Sequence, residues 1–426
     1  MRTIEGFDFF PLTFDDKGKL ESKSSQEFDL LTHRAKTLPA SDAIWIAHGF
    51  RNDATDATTL YSSFLKTFRA HLARPEFDAV AQRRFVVAGV YWPSKPFRES
   101  YDTGTDGHRG LQDDSRAMAE VKAQLEELKK HDATPGQRRK LAKAIKLLPA
   151  LDANTKAQDE FVSLVLSVLE HSALDKTEGM PQLRQHPGSE LLARLSGPTG
   201  EHRTRGLGSV FGSIAGGLGQ FLNLTNWYVM KDRSGAVGAK GVADAVRALH
   251  DTRPDMRIHL VGHSLGGRLM ASCAKALCDP PMLRLDSLML LEAAFSHFGF
   301  SSDNGHGTAG FFRDVVTKQV VKGPFVSTFS AQDTVVGQAY SIMSRLAGDN
   351  TREIGDASDE FGGIGRNGPL RTTEVATSPL NVPGTAYEYQ ADVINNLDGS
   401  DGLIKNHGDV ANDAVTYAFA SAVALT

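Results

Sequence analysis

Arg257-Ile258-His259-Leu260-Val261-Gly262-His263-Ser264-Leu265-Gly266-Gly267-Arg268-Leu269-Met270 decides how the rest of the chain is read. Ile258, Leu260 and Val261 make the apolar run of a buried strand, and Leu265, Leu269, Met270 and Cys273 recur at helical spacing. A G-x-S-x-G run sits where the period changes. It predicts a tight strand-to-helix turn with Ser264 at its apex, and Gly262 and Gly266 leave no Cβ where strand and helix approach. A serine so placed has its hydroxyl lifted above the sheet edge and is a candidate nucleophile. The plainer alternative is a glycine-rich turn whose serine only caps the helix. With 40 glycines in 426 residues the bare letters are only suggestive, so the reading rests on context.

Working outward, Ala43-Ile44-Trp45-Ile46-Ala47 reads as a buried strand ending at His48-Gly49-Phe50. A helix is predicted over 54–72, with Leu60, Phe64, Phe68 and Leu72 on one stripe, and then a strand over 85–92 stopped by Pro93. Strand, helix, strand in that order implies a parallel sheet. Upstream, Phe7 to Thr13 and the segment beyond Asp15-Asp16-Lys17-Gly18 read as a hairpin. Downstream, a helix marked by Val242, Val246 and Leu249 leads into the turn, and strands are predicted over 285–292, 325–330 and 386–393, with a closing helix over 411–423. A long glycine-rich connection, about 348–384, reads as a loop. Its Gly363, Gly365 and Gly368 match the dinucleotide fingerprint in letters only, because no strand runs in and Pro369 follows where a helix should open.

Between about Lys95 and Gly235 no buried strand is legible. An amphipathic helix over 117–130, a basic helix opened by Thr134-Pro135, and a third marked by Phe161, Leu164, Val165, Val168 and Leu169 make this a helical insertion. The expected organisation is therefore residues 1–94 and 236–426 as an α/β core, with 95–235 inserted as a cap or lid. The basic cluster Arg138, Arg139, Lys140, Lys143 and Lys146 reads as a solvated helix face. The insertion ends in an apolar, glycine-rich stretch, 206–230, which resists exposure yet makes a poor helix in water. It is expected either to pack over the core or to act as a mobile lid with transient lipid-interface contact.

Composition narrows the classes of function. With 41% hydrophobic and 23% charged residues the chain can bury a large core, and a net charge of −4 gives no basic field for nucleic acid. Cys273 and Cys278 read as core thiols of a reducing compartment. The start lacks the apolar region of a secretory signal and no 18-residue apolar run occurs, so a cytoplasmic chain without a transmembrane segment is expected. No H-E-x-x-H or C-x-x-C run is present, and neither metal nor cofactor is implied.

A serine hydroxyl is too weakly acidic to attack an acyl carbon unaided; it needs a base within reach and a group that orients the base. Ser330-Ala331-Gln332-Asp333 follows an apolar strand, which favours Asp333 as the acid; Glu292 ends the strand after the turn and is the alternative, ahead of Asp286 and Asp409. Of the 14 histidines, His407, in Asn406-His407-Gly408-Asp409, lies after the last predicted strand and is the candidate base. His48, Gly49 and His263 are read as walls of the substrate site.

Gly262-His263-Ser264-Leu265-Gly266, Ser330 to Asp333 and His407-Gly408-Asp409, in that order, resemble the α/β-hydrolase family of lipases and esterases. The likeness covers the strands but not the insertion. It implies a mostly parallel central sheet flanked by helices, and a triad of Ser264, Asp333 and His407. His48-Gly49-Phe50 is similar to the family's oxyanion step, which implies the main-chain N–H groups of Leu265 and Phe50 as oxyanion donors. With Trp92-Pro93-Ser94, it also looks similar to bacterial α/β-hydrolases of unassigned substrate. The activity implied is hydrolysis of a carboxylic ester, with a lipid or acyl ester favoured by 206–230. A thioesterase, amidase or peptidase using the same triad, or a non-catalytic binding or scaffold module on the same fold, are the alternatives.

Overall fold

A computed structural model describes residues 2–37, 40–95, 111–131, 133–169, 183–184, 186–196, 214–305, 307–337, 340, 357, 359 and 361–426. The chain divides into two compact units: Met1–Ser94, Lys231–Tyr340 and Gly355–Thr426 form the first, Lys95–Met230 with Ser341–Ile354 the second.

The first unit is built on a nine-stranded sheet: β1 (Thr3–Ile4), β2 (Phe7–Thr13), β3 (Asp42–Ala47), β4 (Phe85–Tyr91), β5 (Arg257–His263), β6 (Ser287–Leu291), β7 (Phe325–Phe329), β8 (Val375–Pro379) and β9 (Ile394–Asp398). Their order across the sheet is β1-β2-β4-β3-β5-β6-β7-β9-β8, and every pair is parallel except β1 with β2. A parallel sheet needs cover on both faces, and the strands carry it as near-continuous apolar runs; all six residues of β3 are buried. Ile44 and Ile46 point to the face covered by the Ala54–Leu72 and Asp413–Ala424 helices, where Phe64, Phe68, Val415 and Phe419 complete the core. The Ala54–Leu72 helix starts at Asp53, whose carboxylate accepts from the N–H groups of Thr55 (2.8 Å) and Asp56 (3.0 Å). The Ser22–Thr37, Ala243–Thr252 and Leu265–Leu277 helices lie together with the other face.

Three segments differ from the sequence reading. Beyond β2 the turn at Asp15 forms, but its return is a single bridge, Phe14 to Leu20, and the chain then enters the Ser22–Thr37 helix rather than a second hairpin strand. The last core strand is β9 and not 386–393; its Asn395 and Asn396 are buried, which hid it. Asn395 is satisfied there by the Gln390 N–H (2.8 Å) and the Phe325 carbonyl (3.3 Å). The tyrosines that mimicked a strand, Tyr387 and Tyr389, instead stack on each other at 5.1 Å. Finally, the long connection, read as a loop, contains β8 as a sheet edge, and its glycine run includes the short Ile364–Asn367 helix.

Near the amino ends of the strands lies a buried polar cluster. His259 meets Ser287 through Nδ1 (2.8 Å) and Asp42 through Nε2 (3.0 Å), and all three are at most 1% exposed. Burial raises the Asp42 carboxyl, but hydrogen bonds from His259 and Ser41 and the nearby Arg83 charge outweigh it and leave the group below its ordinary range.

The second unit, where described, is helical: Leu111–His131, Pro135–Leu147, Thr155–Leu166, Gly188–Leu195 and the helix that opens at Ile214. Thr134 caps its helix in a capping box with Gln137. The glycine-rich stretch corrects an expectation. From Ile214 it is a continuous helix to Ala236, and Leu218, Phe221 and Leu222 are at most 2% exposed. A Cβ on Gly217 would lie 2.5 Å from the Leu192 carbonyl oxygen, so this glycine serves close helix packing rather than breaking the helix. Phe221 meets Phe161 at 6.3 Å. The part of the stretch at 206–213, with Phe211, lies outside the described residues. No helix among the described residues is long and apolar enough to cross a membrane.

Candidate active site

The chain leaves β3 for β4 on one side and leaves β5 for β6 on the other, so the strand order reverses between β3 and β5, the place where open α/β sheets commonly bind ligands. Ser264 follows β5 and His48-Gly49-Phe50 follows β3. Ser264 has φ 58° and ψ −124°, a conformation rare for a residue with a side chain, and the Leu265–Leu277 helix starts immediately after it. A Cβ on Gly262 would lie 2.5 Å from the Gly266 carbonyl carbon, which is why the turn needs glycine there. The Ser264 main chain is pinned to the next strand: its N–H donates to Leu291 O (3.0 Å) and its carbonyl accepts from Ala294 N–H (3.0 Å).

The structure brings Ser264, His407 and Asp333 into one hydrogen-bonded chain. His407 Nε2 lies 2.8 Å from Ser264 Oγ, and His407 Nδ1 lies 2.7 Å from Asp333 Oδ2. Asp333 is fully buried just beyond β7; its other oxygen accepts the Val336 N–H (2.9 Å), so only Oδ2 faces the imidazole. An acceptor on Nδ1 fixes the tautomer with the proton there and leaves the Nε2 lone pair toward the serine. His407 sits in the connection between β9 and the Asp413–Ala424 helix. That connection is braced by Ser330 Oγ on Ile404 O (3.0 Å) and by Asn412 Nδ2 on Leu403 O (2.8 Å) and Asp409 O (2.7 Å).

The other candidate acids lie elsewhere. Glu292 is fully buried with φ 39°; its Oε1 accepts from Thr328 Oγ (2.8 Å) and its Oε2 has no hydrogen-bond partner. Burial pushes its carboxyl well above the ordinary carboxylate range. Asp286 stands before β6, at the opposite end of the strands, where it accepts the Ile258 N–H and pairs with Lys322 (3.1 Å). Asp409 accepts the Lys405 N–H within its own loop.

The residues after β3 and β5 divide by role. A Cβ on Gly49 would lie 2.8 Å from Ser264 Cβ, so the main chain of the 49–50 step runs against the serine. Leu265 is the first residue of a 13-residue helix, and its N–H has no acceptor within that helix. His48, read from the sequence as a site wall, is 1% exposed and held by the fold. It stacks on Trp92 (5.7 Å), its carbonyl accepts the Trp92 indole N–H (2.9 Å) and its Nδ1 meets Gly49 O (3.0 Å). Burial lowers its pKa to about 4, so it is neutral in ordinary buffers. Tyr61 donates to Val90 O (2.5 Å) and accepts the His48 N–H (3.0 Å), tying β3, β4 and their helix together below the site. Sequence reasoning missed Tyr61, which looks like one more apolar position on its helix. His263 reaches the His407 carbonyl with Nε2 (2.7 Å).

Among the described residues no three or more His, Cys, Asp or Glu side chains converge as a metal site, and Cys273 and Cys278 are buried free thiols. The arrangement can deprotonate a serine hydroxyl beside a helix N-terminus, whose partial positive charge favours an anion. Compared with known proteins, the chain matches no family model, no curated protein and no solved structure.

Proposed function

We propose that the chain is a serine hydrolase of the α/β-hydrolase type, cleaving a carboxylic ester through an acyl-enzyme on Ser264. The observation that carries this reading is the unbroken relay from Ser264 Oγ through both nitrogens of His407 to Asp333, mounted on a strained strand-to-helix turn. In the first step Ser264 Oγ bonds to the acyl carbon as its proton passes to His407 Nε2, and Asp333 stabilises the resulting imidazolium. The carbonyl oxygen, now negative, takes hydrogen bonds from the main-chain N–H groups of Leu265 and Phe50. Collapse breaks the ester bond, and the leaving alkoxide takes the proton from His407. Water then adds to the acyl carbon with His407 again as base, releasing the acid and restoring Ser264; ester and water are consumed, alcohol and acid formed.

Of the residues that argued for lipid contact, Leu218, Phe221 and Leu222 are buried, while the side chains of Phe211 and Ile214 lie outside the described residues; the burial supports a small dispersed ester rather than one presented at an interface. A fluorophosphonate probe should label the wild-type protein at Ser264 and fail on Ser264→Ala, and p-nitrophenyl esters of graded acyl length should define the substrate. Absence of both labelling and turnover would overturn the proposal.

A further inference from the structure

We propose that His263 is a positioning residue that fixes the base by its main chain: His263 Nε2–H holds the His407 carbonyl while the adjacent Ser264 engages the His407 ring. The inference rests on the serine hydrolase reading above and adds to it a second anchor for the base.

Lys405, Asn406 and Gly408, which flank His407, are exposed. A base on such a segment needs more than one constraint if its ring is to stay aligned with the serine. The ring itself is held at both nitrogens, at 2.7 and 2.8 Å. The carbonyl of the same residue is held at 2.7 Å by His263. Two consecutive residues of the turn, His263 and Ser264, therefore grip His407 at its backbone and at its ring, so base and nucleophile move as one body. The two imidazoles pack at 4.7 Å between centroids, tilted by 43°.

A space-filling role would be met more cheaply by an apolar side chain. His263 is 8% exposed, and its Nδ1 is buried without a hydrogen-bond partner, a cost that leucine or phenylalanine would avoid. Donation from Nε2 to a carbonyl leaves the lone pair on Nδ1, over which the Gly49 backbone lies; a Cβ there would come within 3.1 Å. Burial first, and then the facing titratable groups His407 and His48, lower the His263 pKa to about 3 against the opposing hydrogen bond to the His407 carbonyl. When His407 takes the serine proton, its neighbour is thus a neutral ring and not a second cation.

The test compares His263→Leu, His263→Asn and His263→Gln in the full chain with p-nitrophenyl acetate. The Gln amide reaches the His407 carbonyl, whereas Asn stops short and Leu has no donor. Leu and Asn should lower kcat by about 10- to 100-fold, the scale of a misplaced catalytic group, with KM within about twofold, and Gln should recover most of the loss. Wild-type kcat in Leu and Asn, a loss expressed in KM, or Gln as impaired as Leu would overturn the proposal. Nitrogen NMR of the wild type gives a readout independent of turnover and of whether Leu folds: His263 should stay neutral, protonated on Nε2, from pH 5 to 9, and a ring that titrates in that window would overturn it. Failure of the hydrolase reading is separate, since it shows as an unlabelled wild-type serine.

Discussion

Ser264 stands in a conformation that costs on the order of 1–3 kcal/mol for a residue with a Cβ, and the fold bears that cost at the one position where the hydroxyl meets His407. Ser264→Ala should therefore leave the fold intact and lower kcat by about 10³- to 10⁶-fold, read by circular dichroism and ester hydrolysis side by side. Ser264→Gly, equally inactive, should be more stable than Ser264→Ala by about 1 kcal/mol in urea titrations, because glycine takes the same dihedral angles without strain. Equal stabilities would show that the turn is unstrained. The two carboxyls near the site give a second contrast. Asp333→Asn should cost about 10² to 10⁴ in kcat with little change in KM, since the amide favours the wrong imidazole tautomer. Glu292→Gln should keep activity within a few fold, because Glu292 meets Thr328 rather than His407 and the amide is close to it in shape. The reverse ranking would move the acid to the residue after β6.

The strand-to-helix elements were legible wherever one physical signal dominated. The Ala54–Leu72 helix has a cap at Asp53 and an apolar stripe, and β3, β4 and β5 are mostly apolar and buried; their limits followed from pattern to within a few residues. So did the residues of the relay, because a turn at Ser264 and loops after late strands put Asp333 and His407 at one edge. Elements failed where a local rule was overridden by packing. β9 carries two buried asparagines, of which Asn395 is satisfied by groups around it, and the helix from Ile214 carries Gly217, whose value is the approach it permits to the Leu192 main chain. Its apolar side chains yield a prediction at this scale. Phe221→Ala should destabilise the second unit by about 3–5 kcal/mol, the range for truncating a buried phenylalanine, seen as faster amide exchange over 155–166 and 214–230. A lid face would behave otherwise: the variant would fold normally and lose only a rate increase at the onset of ester micelles.

At the scale of the molecule, stability against acid has a definable source. Arg313 forms two 2.6 Å bonds to Glu374, the residue before the edge strand β8. The Arg313 hydrogen bonds lower the Glu374 pKa from 4.5 to about 2. A carboxyl whose folded pKa is depressed stabilises the fold above its unfolded pKa, and that contribution is lost as pH falls from about 4.5 toward 2. Wild type and Glu374→Gln should thus differ in urea midpoint at pH 7 and converge near pH 2; a difference independent of pH would assign the effect to packing. Among the described residues the sheet also carries a histidine bridging a serine and an aspartate near each end of its strands. In the amino-end cluster the ring is reversed, with Asp42 on Nε2 and Ser287 on Nδ1. A search for enzymes by side-chain distances alone would score this protein twice. What separates a reactive trio from a load of buried mortar is which nitrogen faces the hydroxyl, and whether the next peptide opens a helix; proximity of the right three letters is not an activity.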